Sequence, residues 1–443
     1  MRRLIVPVLL LLAAVSSRAQ DFDTYFSGET LRLDYVFCGN ATHQAIYFIE
    51  AQRTSEWAGR RNNLARPLLI GNGSVKMLDY QSGDIIYGNS FSTLFQEWQS
   101  YEEASLVSKA FENCIQVPFP KRKVIIVVEL FDVHGSVSSA ISHTIDPEDI
   151  LIRNAGRGVN EFRAVGQVAK DLSKAVDVVI VSDGYTAAER DKFFADAARS
   201  RAALLAHEPF KGNANRFSFR AVFVPSVDSG PSIPHNSVWH DTALKSHFDT
   251  FYTERYLTTS SMRRVYDAIG TVPFEHVIVL VNTPVYGGGG IYNSVTIMGS
   301  DHYTFNEVLV HEFGHAFGGL GDEYFYDDMY SSMYPADTEP WEPNLTTLVD
   351  FNSKWADMLP AGTPVPTPVD ELEKQDVRPI WHLLSPQQKA ELNLKVGVYE
   401  GGGYQSHGVY RPVQECRMKI NECEEFCPVC SRAIVRMINY YTQ

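Results

Sequence analysis

Thr304-Phe-Asn-Glu-Val-Leu-Val-His-Glu-Phe-Gly-His-Ala-Phe-Gly-Gly-Leu-Gly-Asp-Glu-Tyr324 reads as a helix carrying two histidines, stopped by glycines and followed at once by two carboxylates. Thr304 stands at an N-cap, with Glu307 at the reciprocal position of a capping box. Phe305, Val308, Leu309, Phe313 and Ala316 supply apolar surface, and Gly318-Gly319 ends the helix. His311 and His315 are four apart, so their imidazoles leave the same side of the helix. Two such nitrogens can reach one tetrahedral zinc, Zn2+. Glu312 follows the first histidine and can reach a water on that ion without being a ligand. Zinc acidifies such a water and polarises a carbonyl, while the carboxylate carries the proton to the leaving amine.

A catalytic zinc needs a third protein ligand and an open position. The chain turns through Gly318, Gly319, Leu320 and Gly321 into Asp322-Glu323-Tyr324, as a segment folded back to the metal would. Asp322 is the expected third ligand and Glu323 the alternative, with a remote glutamate as the remaining choice. Glu323 and Asp327, four apart, also admit hydrogen bonds behind the metal or a structural calcium (Ca2+) site.

Outward from this helix, the chain from about Ala164 alternates strand and helix. Val176–Val181, Phe219–Val224 and His276–Val281 are apolar enough for buried strands. Thr186, with Glu189 three residues on, opens a helix toward Leu205. This predicts an α/β domain over 160–443. Ser331 to Pro379 is rich in proline and predicts a long ordered rim held by Trp341, Leu348, Phe351 and Trp355. Upstream, Thr30–Phe37, Ala45–Ile49, Lys123–Leu130 and Ser136–Ile145 read as strands without a βαβ rhythm. They predict an antiparallel β-sandwich over 20–155, so the overall class is α+β.

The chain has 443 residues, 44% of them hydrophobic, enough for two cores. Its formal net charge of −14 offers no basic face to a nucleic acid and no attraction to anionic membranes. Arg2 and Arg3, the apolar run Leu4–Val15 and the small residues before Gln20 predict a cleaved signal peptide over 1–19. The expected protein is secreted or periplasmic. No cysteine follows the apolar run, so it is not a lipoprotein, and no other stretch is long enough for a membrane span. The six cysteines then fit disulfides. Cys38 and Cys114 are one candidate pair. Cys416, Cys423, Cys427 and Cys430 form either two more bridges or a four-cysteine zinc site. The oligomeric state is not written in the sequence.

The string HEFGHAFGGLGDEYF, residues 311–325, resembles the IgA peptidase family of zinc metallopeptidases. Val181–Thr186, Tyr286–Asn293, Cys416-Arg-Met418 and Phe426-Cys-Pro-Val-Cys430 share the resemblance. Trp57-Ala-Gly-Arg60 and the β-rich segment resemble the N-terminal domain that often precedes the peptidase. The resemblance implies a metzincin-like core and a secreted endopeptidase with one catalytic zinc and a protein or peptide substrate. In metzincins a His or Asp ligand follows a glycine by three residues. Counted from Gly319, that position is Asp322, one residue later than usual. Tyr286 to Gly299 would be the edge strand pairing with substrate, with Gly289 and Gly290 beside the metal. Met418 would be the Met-turn residue beneath it. Ile420 stands where some metzincins carry an oxyanion-stabilising tyrosine, which leaves Tyr410, Arg411 and His407 as candidates. Two other classes remain open: an exported binding or adhesion protein with a structural zinc, and a zinc hydrolase of peptidoglycan or glycan-linked peptides.

Overall fold

The computed structural model describes residues 21–155, 160–326, 333–369 and 376–443. The expected signal peptide and Asp327 lie outside them. The chain is mixed α and β, with several sheets.

The strands are β1 (Phe26–Asn40), β2 (His43–Glu56), β3 (Gly73–Asp79), β4 (Ile85–Phe91), β5 (Lys109–Pro120), β6 (Val124–Phe131), β7 (Val137–Ile145) and β8 (Arg153–Asn154). They form two four-stranded sheets, β5-β1-β2-β8 and β4-β3-β6-β7. All the pairings are antiparallel except the short β2–β8 ladder. The alternation of β1 sends Leu31, Leu33, Tyr35 and Phe37 into a core shared with Val75 and Met77 of β3 and with Val124, Ile126, Val128 and Leu130 of β6. Between them, Arg32 and Asp34 face the other way and are buried too. They lie against the helix Met262–Ile269 of the following part of the chain, with Arg32 Nη1 2.6 Å from Asp267 Oδ1. β3, β4 and β5 escaped the sequence reading because polar and glycine positions interrupt their alternation.

β9 (Glu161–Ala164), β10 (Val176–Asp183), β11 (Phe217–Phe223), β12 (His276–Val281), β13 (Gly288–Ile291) and β14 (Val295–Gly299) build a six-stranded sheet in the order β13-β14-β12-β10-β11-β9. Its four inner strands are parallel and its two edges antiparallel. Every residue of β10 is buried, and its two faces feed different cores. Val176, Val178 and Ile180 pack with the helices Arg190–Ala206, Phe305–Gly318 and Pro428–Thr442. Val179 and Val181 pack with the helix Met262–Ile269 on the far side. A smaller sheet follows from β15 (Phe325–Tyr326), β16 (Tyr399–Gly402) and β17 (Tyr404–Arg411). In the proline-rich rim, Trp355 is fully buried and donates its indole N–H to Gly397 O at 2.7 Å.

Two local expectations need correction. Thr304 does not cap its helix through its hydroxyl, because Oγ1 bonds to His302 Nδ1 at 2.7 Å instead. The disulfides are absent: all six cysteines are free. Cys38 faces Ala110 across the β1–β5 ladder while Cys114 faces Asp34. That four-residue offset separates the two by about 13 Å along the strands, far beyond the reach of a disulfide.

Candidate metal centre

The helix Phe305–Gly318 ends where Gly319 takes a left-handed conformation, φ 63°, and its N–H caps Gly314 O and His315 O. That reversal lets the next residues return along the helix. Leu320 O accepts from His315 Nδ1 at 2.6 Å, and Arg417 O accepts from His311 Nδ1 at 2.9 Å. With both Nδ1 hydrogens committed to carbonyls, the neutral imidazoles present bare Nε2 lone pairs. These nitrogens are 3.1 Å apart. Asp322 Oδ1 lies 3.0 Å from Nε2 of His311 and 3.2 Å from Nε2 of His315.

Three lone-pair donors thus converge in a triangle of nearly equal sides. Tetrahedral zinc at its usual bond lengths sets N and O ligands about 3.3 Å apart. Asp322 is almost wholly buried, and its Oδ1 accepts no hydrogen bond while both imidazoles are neutral. Such a buried anion facing two lone pairs requires a proton or a cation between them. Burial opposes protonation of His315, but the Asp322 carboxylate outweighs it and lifts the imidazole to about 9. Asp322 itself is burdened by burial yet held well below the carboxylate range by the two histidines. A metal bound there takes the place of any proton shared between the carboxylate and the imidazoles. The donor set of two imidazoles and one carboxylate fits zinc.

Glu312 sits on the same helix, partly buried, and burial raises its pKa against the pull of the two histidines. β13 lies directly on this helix. A β-carbon at Gly290 would overlap Glu312 O and come 3.0 Å from His315 Cβ, and one at Gly288 would come 3.5 Å from Glu312 Cγ. On the opposite face, one at Gly289 would meet the Tyr256 ring at 2.8 Å. Met418 is fully buried beneath the helix, its Sδ 2.9 Å from where a Gly314 β-carbon would stand. Its carbonyl accepts from Glu323 N at 2.8 Å.

Other expected residues lie elsewhere. Glu323 is fully buried but grouped with Cys416, Cys427 and Cys430, not with the histidines. Soft sulfur neighbours also give no support to a calcium site there. Arg411 spends its guanidinium on Glu400 O, Gly401 O and Gln414 O. His407 is exposed beside Glu400, and Tyr410 is bonded through its backbone to Thr346. The physical reason is the run of β17. Its start, not its end, lies beside the metal centre, and Gly403, just before the strand, donates its N–H to Asp322 O at 2.8 Å. The residue missed is therefore Tyr404, whose hydroxyl donates to Asp322 Oδ2. Eighty-two positions separate the two, and no local pattern connects them.

Three further residues stand near the centre in ways the sequence did not indicate. Glu97, from the N-terminal part, accepts from Tyr256 Oη at 2.6 Å. Enclosure of its carboxyl lifts its pKa to about 7 although the residue remains partly exposed. Arg255 and Tyr286 are exposed, and both interact electrostatically with Glu312.

Residues 167–438 match the family model described as IgA Peptidase M64. The chain belongs to the IgA peptidase M64 family. Residues 21–142 match the model of the M64 peptidase N-terminus, which accounts for the β-rich part. No curated protein matches the chain. This M64 family member is accordingly a peptidase, a hydrolase acting on protein substrates. Among its described residues no helix is long and apolar enough to cross a membrane.

Proposed function

We propose that the chain is an exported, zinc-dependent endopeptidase whose metal ligands are His311, His315 and Asp322. The convergence of two Nε2 atoms and Asp322 Oδ1, with both Nδ1 hydrogens already committed, carries this reading. A zinc ion bound there supplies Lewis acidity to the scissile carbonyl and to water. Glu312 accepts the proton of the attacking water on its carboxylate and delivers it to the leaving nitrogen. β13 is the terminal strand of its sheet and offers backbone groups to an extended substrate beside Glu312. Arg255 and Tyr286, exposed and within electrostatic reach of Glu312, are in this reading the candidate donors to the developing oxyanion. Met418 forms an apolar floor beneath the histidine helix, as a Met-turn does. The same reading makes the N-terminal part a β-sandwich, places it over 20–155 and the peptidase over 160–443, and calls the second domain metzincin-like. Export rests on Arg2, Arg3 and the apolar run Leu4–Val15.

Glu312→Gln tests the mechanism. The variant keeps its zinc by metal analysis while peptide hydrolysis falls by about 10²- to 10⁴-fold. Undiminished turnover would remove Glu312 from the chemistry.

A further inference from the structure

Beneath the histidine centre lies a second group of donors. Cys416, Cys427, Cys430 and Glu323 are all fully buried, and one donor atom from each lies within 4.8 Å of all the others. Cys416 Sγ is 3.9 Å from Cys430 Sγ, and Cys430 Sγ is 3.1 Å from Glu323 Oε1. A disulfide needs about 2.05 Å between its sulfurs. Two thiolates on one tetrahedral zinc stand about 3.8 Å apart, and a thiolate and a carboxylate oxygen about 3.5 Å. The observed spacing is that of ligands, not of a bond.

The surroundings favour anions. Cys427 caps the fifteen-residue helix Pro428–Thr442, and its Sγ accepts from Cys430 N at 3.5 Å. Cys416 Sγ accepts from Cys427 N at 3.3 Å. Backbone N–H groups at the positive end of a helix stabilise thiolates. Glu323 Oε1 is held by Asn344 Nδ2 at 2.9 Å, while its Oε2 is buried without a hydrogen-bond partner. Arg411 and Lys419 are near enough to Glu323 to interact with its charge. Two cations offset the excess negative charge of three thiolates and a carboxylate around a divalent ion. Cys423 stands apart, its sulfur directed at Glu425 O at 3.5 Å.

We propose that Cys416, Cys427, Cys430 and Glu323 hold a second, structural zinc ion. It would pin together three distant segments: the turn after Asp322, the turn bearing Met418, and the start of the C-terminal helix. Asp322 precedes Glu323, and Arg417 O, which orients His311, follows Cys416. The second ion would therefore fix the walls of the first centre while having four protein ligands and no open position for chemistry.

The test is metal stoichiometry on the full chain purified in zinc-containing buffer. Two zinc ions per chain are expected, falling to one in His311→Ala/His315→Ala. Exchange of that double variant with Co(II) should give a thiolate-to-cobalt charge-transfer band in the near ultraviolet. The band should lose a third or more of its intensity in a Cys427→Ser derivative of the same variant, and an undiminished band would overturn the assignment of Cys427. Complete loss of metal from the double-histidine variant overturns the proposal, as does a Cys416–Cys430 or Cys427–Cys430 disulfide in non-reducing peptide maps of the wild type. Neither variant has to be active for the readout, and wild-type maps need no variant at all. If the histidine centre instead binds nothing, wild type and double variant hold one thiolate-ligated ion each, which separates the two readings.

Discussion

Tyr404 shows how much one hydroxyl can decide. Asp322 has one oxygen turned to the two imidazoles and the other held by this phenol. The hydrogen bond fixes the carboxylate rotamer, so that Oδ1 does not swing away when the site is empty. Tyr404→Phe removes the bond and nearly no volume. Zinc affinity, measured by chelator competition, should fall about 10- to 100-fold. An unchanged affinity would show that Asp322 is oriented by packing alone. The sequence made the histidine pair legible because helix period is a local signal, and its glycine turn narrowed the third donor to Asp322 or Glu323 without choosing between adjacent carboxylates. Tyr404 was not legible, since its place follows from β17 pairing beside β15, with Tyr404 opposite Phe325.

At the scale of elements, the close pair is β13 and the histidine helix. Glycines at alternate positions let the strand rest on Glu312 and His315. Gly290→Ala puts a methyl group into Glu312 O, and either the strand or the helix must move. The expected cost is about 1–3 kcal/mol of stability. Peptidase kcat/KM should drop tenfold or more while zinc content stays at the wild-type value. Thermal denaturation and kinetics on the same preparation check both parts. A fully active Gly290→Ala would show that the strand does not need this approach. The family resemblance implied one edge strand from Tyr286 to Gly299, whereas the structure folds this stretch into a hairpin with only Gly288–Ile291 at the edge. Only the ladder from Gly288↔Met298 to Ile291↔Val295 makes it a strand.

For the whole molecule, the N-terminal part reaches the larger one through specific bonds. Arg32 and Asp34 meet Arg263 and Asp267, Asn293 Nδ2 donates to Ser90 O at 2.7 Å, and Tyr256 bonds Glu97 behind β13. Glu97 carries a pH signature. Its folded pKa is raised from 4.5 to about 7, first by burial, so the folded chain keeps this proton longer than the unfolded one. Its contribution to stability is full below about pH 4.5 and is lost as pH rises through about 7. In metal-free protein, Glu97→Gln should gain stability over wild type across that interval, by about 1–2 kcal/mol once partial exposure is discounted. Melting curves against pH check this. A constant difference between the two proteins would mean that Glu97 is ionised throughout.

The sequence by itself determined the pieces whose physics is local. The strands β1, β6, β10 and β12 follow from two-residue alternation or unbroken apolar runs. The helix Phe305–Gly318 follows from its apolar side and glycine stop, and its histidine spacing places two imidazoles together. Tertiary structure alone decided the choices that depend on distant chain meeting in space. It sent Asp322 to the histidines and Glu323 to three cysteines, although the two carboxylates are adjacent. It kept Cys38 and Cys114 apart by strand register. It turned Arg411 onto backbone carbonyls and brought Tyr404 to Asp322. Neighbouring side chains on an extended segment point to opposite sides, and which side holds a metal ligand depends on what the rest of the fold puts there.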